Sequence, residues 1–469
     1  MSIIALSSQP SAMPFFRPLT FSIVCMALTL VSTHAVAAGF FLPTRGVDTT
    51  ARGGASIAPH QADPDALWHN PAGLTQLDDR HLLLDLGVVH LSATHQRAPR
   101  EMDDGSTRTY DPVDNDAPPQ GIPQLLVGGP TSHPDIHWGA GFYTPWAAGS
   151  RYPVDGPQRY VVVDNTGSAL GYLHGAVAWQ VSDSLSFGAG LQNFMGQFQI
   201  VSVGSGYAGP FGDPEDEDLD ILAEATISSY FNPTANLGVS YRAADSLQLG
   251  ASLQLPHLFR DSSATLDTRL PDHPAYDNAE TSGDEVSISI PFPFYLRGGL
   301  RYFNDRFDLE AALVYQHWSI LDEVTLTPDD IEISGVPGVG SIPVEPFIVP
   351  QEMRNTLSAH LGGQLQATSS LSLSAGYVLE RGAVPDQRFS VFALDPTKQQ
   401  LTVGAAFDFD GLILSTMAGA IFMPDREITD SEVRQINPSD PDDEQSLVVA
   451  NGTYEQTILL GGLSLQYLF

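Results

Sequence analysis

Residues 246–255 read Ser-Leu-Gln-Leu-Gly-Ala-Ser-Leu-Gln-Leu, and this stretch decides the fold. Leu247, Leu249, Ala251, Leu253 and Leu255 fall on one side of an extended chain, and Ser246, Gln248, Gly250, Ser252 and Gln254 on the other. Successive side chains leave a β-strand on opposite faces, so this alternation predicts a strand with one apolar and one polar face. The same grammar recurs along the chain. Leu185, Phe187, Ala189 and Leu191 oppose Ser186, Gly188, Gly190 and Gln192, while Leu371, Leu373, Ala375 and Tyr377 oppose Ser372, Ser374 and Gly376. Short polar turns at Ser182-Asp183, Ala244-Asp245 and Thr368-Ser369 join each of these strands to the one before it, and further hairpins turn at Asn304-Asp305 and at 408–411.

Long connections rich in Pro, Gly and Asp lie near 92–121, 147–167, 203–224, 259–283, 327–352, 383–397 and 425–452. Short turns alternating with long loops over 80–469 imply about fourteen antiparallel strands with the loops on one side. A soluble β-sandwich would alternate as well. Here the polar face is mostly Ser, Gln and Gly, and acids gather in loops such as 213–220 and 440–444, so charge is kept off the face that would meet lipid. Aromatic residues near strand ends, Tyr143 with Trp146, Phe292 with Phe294 and Tyr295, and Tyr315 with Trp318, are expected to form interfacial girdles. Past the leader no run reaches the roughly 18 apolar residues of a membrane helix, so a spanning chain must close into a barrel.

The leader sets the compartment. Arg17 precedes an apolar run over 21–31, and Ala35-Val36-Ala37 has the small-x-small form of a cleavage site. The run is short for a membrane anchor, so residues 1–37 are expected to be a cleaved secretory signal. Cys25, the chain's one cysteine, would leave with it. The chain carries 55 Asp and Glu against 21 Lys and Arg, a formal net charge of −34, which argues against binding the phosphates of nucleic acid.

Residues 38–79 do not alternate. They run through Ala38-Gly39-Phe40-Phe41, Arg52-Gly53-Gly54-Ala55, Ala62-Asp63-Pro64-Asp65-Ala66 and Asn70-Pro71-Ala72-Gly73-Leu74. A compact element ahead of so wide a barrel reads as a plug, the alternative being a loose periplasmic tail. These motifs resemble the hatch of the FadL-type long-chain fatty acid and hydrocarbon transporters of the outer membrane. The likeness continues through Trp318-Ser319, Gly376-Tyr377 with Val384-Pro385, and the terminal Phe469. It implies an all-β fold: a transmembrane antiparallel barrel over 80–469 plugged by an N-terminal hatch over 38–79, monomeric, in the outer membrane of a Gram-negative bacterium. Outer membrane lipids and lipopolysaccharide would surround it, and Phe469 resembles the signal read by the assembly machinery. The resemblance also implies capture of an apolar ligand in an outer groove and transfer to an inner pocket. The ligand would then leave sideways through a kink in the third strand. That strand, over 137–146, carries Gly139, Gly141 and Pro145, which weaken a ladder.

Ligand contacts are expected at Gly39, Phe40 and Phe41, because the family places its N-terminal residues beside the cargo. A fatty acid would also call for an inward arginine, and Arg151, Arg159, Arg297 and Arg301 are the candidates. No cofactor and no metal is expected: the acids of 213–218 and 440–444 lack the spacing of a calcium loop and read as solvated, and His133 with His137 sits in a turn. A neutral hydrocarbon remains an alternative cargo. The rivals from other classes are a plain porin or adhesin and a lipid hydrolase pairing a serine with His174, His317 or His360, but no nucleophile motif of the Gly-x-Ser-x-Gly kind occurs.

Overall fold

The structure is a computed structural model of the chain and describes residues 44–469 apart from 103, 145–148, 207–212, 261–262, 337–339 and 437–445. The leader, Gly39, Phe40, Phe41, Pro145 and Trp146 therefore lie outside the described residues. Fourteen strands form a closed antiparallel barrel. They are β1 (His81–Arg97), β2 (Gln120–Pro130), β3 (Ile136–Tyr143), β4 (Ala169–Ser182), β5 (Leu185–Ser205), β6 (Asp220–Ala244) and β7 (Leu247–Gln254), followed by β8 (Tyr295–Phe303), β9 (Phe307–Gln316), β10 (Thr356–Thr368), β11 (Leu371–Glu380), β12 (Lys398–Asp408), β13 (Leu412–Phe422) and β14 (Gly452–Leu468). The last strand returns to the first along its whole length, from His81 opposite Leu468 to Arg97 opposite Gly452, so no edge is left unpaired.

The alternation of 246–255 maps onto the wall as expected. Gln248, Ser252 and Gln254 are buried inward and Leu249 and Leu255 face out. Leu191, at 77% exposure, marks how bare the lipid face is. Among the described residues no helix is long and apolar enough to cross a membrane, so crossing falls to the strands.

The aromatic girdle differs from expectation. Tyr143, Phe292, Tyr295 and Trp318 are buried within the protein rather than set against lipid. Parity is the reason: Tyr143 and Tyr295 stand in register with the inward Tyr172 and Gln254, so they share the inner face. Outward aromatics come from other positions, among them Trp179, Tyr241, Tyr302 and Phe407.

Strands β5 and β6 run far past the membrane, and a register break between Phe194 and Gly196 turns Tyr230 and Phe231 both outward. The outer loops carry structure of their own. Segments His257–Arg260, Val286–Phe292, Glu323–Pro328 and Phe347–Pro350 form a four-stranded sheet above the wall. Two acids of the 213–218 run are paired rather than free in solvent: Glu215 is buried and pairs with Arg97 at 2.5 Å and Arg100 at 2.8 Å, and the partly exposed Asp213 pairs with Arg100 and Arg108.

Candidate functional site

Inside the barrel the segment 44–77 fills the lumen. It forms α1 (Val47–Ala51), α2 (Ala66–His69) and a 3-10 turn at Pro71–Gln76. Gly46 caps α1 with φ 75°, and a side chain there would collide with the Asp65 carboxylate. Helices this short are not stable by propensity, so their order comes from the wall around them. Arg52 pairs with Asp308 of β9 at 2.6 Å, Glu310 accepts from Ile57 N at 2.8 Å and Ala58 N at 3.0 Å, and Asp85 of β1 accepts from Val47 N at 2.9 Å.

Asn70, Pro71, Ala72 and Gly73 sit at the closest approach of plug and wall. Asn70 is fully buried and extended, as a residue before proline must be. Its Nδ2 donates to Ile57 O at 2.7 Å and to Val239 O of β6 at 3.0 Å, and its Oδ1 accepts from Ala72 N at 3.1 Å. Opposite it, Gly188 of β5 and Gly238 of β6 are paired in register, and a Cβ on either would fall on Pro71 or on the Asn70 side chain. The glycine pair is thus the socket for the Asn-Pro-Ala turn. The expected signal was present in the polar-face glycines of the strands, but only the register shows what presses on them.

Gly139 and Gly141 lie on β3. A Cβ on Gly139 would press on Leu74, so this glycine admits the plug, while Gly141 faces the β2 backbone at Leu125. Strand β3 itself stops at Tyr143. Its ladder with β2 ends at Gln124 and its ladder with β4 ends at Tyr172, whereas β2 continues to Gln120 and β4 to Ala169. Farther out, Asp116 N donates to Arg151 O at 2.9 Å and Asp164 bridges both Arg151 and Val201. Thr144, the next residue after the end of β3, is outside any strand.

A cavity of about 40 Å³ lies beside the end of β3, lined by Thr44, Arg45, Val47 and Thr50 of the plug and by Asp85, Gly87, Val88, Ile122 and Thr144 of the wall. Val88 points outward and is 39% exposed, so one group borders both the cavity and the lipid face. The volume suits a few waters rather than an acyl chain.

Next to the cavity Arg45 leads into an aromatic cluster. Its guanidinium lies 3.7 Å from the centre of the Trp68 ring, and Arg297 of β8 lies 4.6 Å from the same ring. Tyr143, Tyr172 and Tyr295 surround Trp68 at 5.7, 5.8 and 6.2 Å. Burial pulls the Arg45 guanidinium down to about 10, against the partly compensating field of Asp65 and the tyrosines. The other arginines singled out in the sequence are engaged: Arg151 with Asp164 at 2.9 Å, Arg159 with Asp220 at 2.6 Å, and Arg301 with Asp308 at 3.5 Å.

Ser358 and His360 do meet, with Oγ 2.8 Å from Nε2, but His360 Nδ1 contacts Gly53 O at 2.7 Å and both side chains are sealed under the plug. Among the described residues no cluster of His, Cys, Asp and Glu could hold a metal.

Solved structures share this architecture. A FadL homologue of Pseudomonas aeruginosa superposes with a TM-score of 0.75 at 17% identity, covering 92% of this chain and all 100% of its own. The toluene transporter TodX of Pseudomonas putida gives 0.62 at 17% identity over 93% of this chain and 99% of its own. The toluene transporter TbuX of Ralstonia pickettii gives 0.59 at 16% over 91% and 99%. No curated protein matches by sequence. The outer membrane protein transport protein model (OMPP1/FadL/TodX) matches residues 28–456; the chain belongs to that family and is a transporter of hydrophobic compounds in the Gram-negative outer membrane, a channel and not an enzyme.

Proposed function

We propose that the chain takes up long-chain fatty acids, capturing them in an extracellular groove and releasing them sideways into the bilayer after the plug rearranges. The observation that carries this reading is the cavity beside the end of β3, bordered by both plug and outward residues. On the family resemblance the ligand contacts are Gly39, Phe40 and Phe41; Thr44, where the described residues begin, lines that cavity. A sideways route also suits an anion. Every downward exit would pass the short turns on the periplasmic side, where Asp135, Asp183, Asp245, Asp305 and Asp410 repel a carboxylate. Phe469 at the close of the final strand serves recognition by the assembly machinery.

Gly87 provides the test. A Cβ there would meet Ile122 only at ordinary contact distance, 3.4 Å, so a larger side chain enters the cavity without shifting the strand. In cells lacking their own importer, the wild-type chain is expected to restore uptake of a labelled long-chain fatty acid, and Gly87→Val to reduce it severalfold with heat-modifiable barrel mobility unchanged. Undiminished uptake in Gly87→Val would rule out passage through this cavity. The second reading is a neutral aromatic or aliphatic hydrocarbon. The acidic outer loops favour it, because they do not repel uncharged cargo, and two of the similar structures are toluene transporters.

A further inference from the structure

The wall changes character beside β6, toward the end that carries the long loops. From Ala244 to Asn236 this strand is laddered to β7, and from Ser228 to Leu222 it is laddered to the segment Ser263–Arg269. In between, the neighbouring chain turns away: His257–Arg260 takes its ladder from Ser289–Phe292 of the outer sheet. Among the described residues, side chains supply most of what joins it to β6 here. Leu255 N donates to Ala235 O at 2.9 Å, but Thr234 Oγ1 donates to Leu255 O at 2.9 Å, Arg260 N donates to Asn232 Oδ1 at 2.9 Å, and Ser229 Oγ donates to Arg260 O. Pro233 in β6 and Pro256 just past β7 have no N–H to add to the seam. A strand ladder opens as a unit, whereas a side chain lets go by changing rotamer, so this seam parts more easily than the ladders on either side of it.

Both faces of the seam are apolar. Outside, the register break between β5 and β6 leaves Tyr230 63% and Phe231 76% exposed, and Leu255 and Leu258 of the neighbouring chain also point out. Inside, the buried Phe259 ring lies 5.6 Å from Phe194, Phe194 lies 4.7 Å from Tyr172, and Tyr172 lies 5.8 Å from Trp68 of the plug. An interfacial girdle accounts for the outward rings alone. It does not account for a file of rings behind them that runs from the seam to the plug. An uncharged hydrocarbon collects in lipid before it meets the protein and needs no hydrogen-bond partner on such a path, whereas a carboxylate would lose its hydration there without compensation.

We propose that the seam between β6 and residues 255–260 is an entry for uncharged hydrocarbons dissolved in the outer leaflet, which pass beside Asn232 and along Phe259, Phe194 and Tyr172 to the plug. It is separate from the cavity beside β3 and bypasses the acidic outer loops. It rests on the reading of the chain as a transporter of hydrophobic compounds.

The chain's one cysteine lies in the leader, so a cysteine pair can be placed on the barrel without competition. Phe231→Cys with Leu258→Cys puts both thiols on the outer face, where a short, reductant-cleavable bis-thiosulfonate can join them across the seam. Cells carrying the linked protein should take up labelled hexadecane severalfold more slowly than the same cells after reductant, and each single-cysteine variant treated alike should match the wild type. Uptake of a labelled long-chain fatty acid, which enters past the loops, should not change on linking. Undiminished hexadecane uptake in the linked protein would overturn the entry, and so would an equal loss of both compounds, which marks a general effect on the barrel. A diazirine-bearing alkane photolysed in cells expressing the wild type supplies a measurement without substitutions. Label is expected on Phe259 and Phe194; label confined to Phe231 and Leu258 would mark ordinary lipid contact and overturn the entry as well. Failure of the wild type to move either compound would instead sink the transporter reading on which the entry rests.

Discussion

A single amide holds the plug at its narrowest point. Asn70 donates twice and accepts once, to Ile57 O, Val239 O and from Ala72 N, and each buried bond contributes on the order of 1 kcal/mol. Asn70→Ala should therefore loosen the plug by about 2–3 kcal/mol. Asn70→Asp should loosen it more, since it turns a carboxylate oxygen toward two carbonyls, and Gly238→Ala should match it by placing a methyl on the Asn70 side chain. Limited proteolysis of detergent-solubilised protein would read this as faster cleavage within 44–77 with the barrel intact; equal protection in all three variants would refute the socket. The Asn-Pro-Ala-Gly turn was visible in the chain because proline and glycine announce themselves locally. Its socket was not, because an inward glycine on a polar strand face looks the same whether a plug or water lies against it. The arginines show the same limit. Arg52 finds Asp308 through a pairing hundreds of residues apart that spacing does not encode, and Arg297 has no carboxylate within ion-pair distance among the described residues.

At the scale of elements, the strands were the most legible feature and their ends the least. Alternation is a local property, so fourteen strands followed from it. Where a strand stops depends on what lies beyond the membrane: β5 and β6 run past the lipid because they pair with each other there, and the loop expected over 203–224 shrinks to 206–219. Aromatics near strand ends likewise left open which face they take, and Tyr143 and Tyr295 went inward to enclose Trp68. The docking of α1 has a pH dependence of its own. Asp48 accepts from Ser415 Oγ at 3.0 Å, yet burial raises its carboxyl to about 6, and burial raises Asp63 as well, with Asp65 and Asp48 adding to the effect. Both groups hold protons more tightly in the docked state than in water, so their ionisation opposes docking. For Asp48 that opposition is fully present above about pH 6 and is lost as pH falls toward the ordinary aspartate value of about 4. Amide exchange over Val47–Ala51 should accordingly slow between pH 7 and pH 4 after correction for the intrinsic rate, and Asp48→Asn should flatten most of that dependence. Exchange that quickens on acidification in the wild type would contradict the sign.

For the molecule as a whole, the net charge of −34 has two addresses rather than one. Acids crowd the outer loops, but each short turn at the other rim except Thr368-Ser369-Ser370 also carries an aspartate, and in the outer cap Glu215 and Asp213 are spent on Arg97, Arg100 and Arg108. Arg97 further donates to Pro157 O at 3.1 Å and Val448 O at 3.4 Å, so one ion-pair hub ties three loops over the mouth. A carboxylate approaching from outside meets a negative cap before it can reach the cationic stack at Trp68. Its encounter rate should rise when salt shortens the screening length, from about 30 Å at 0.01 M to about 10 Å at 0.1 M, or when divalent cations bridge the loops. Neutral cargo feels none of this. Uptake of a long-chain fatty acid by the wild type should therefore increase several-fold over that range of salt, and uptake of an alcohol of equal length should stay flat. Measured side by side in the same cells, a fatty acid response as flat as the alcohol's would remove the outer field from the mechanism. The opposite slope, acid uptake falling with salt, would mean that the loops attract the cargo and that their exposed cations, not their acids, face the entry.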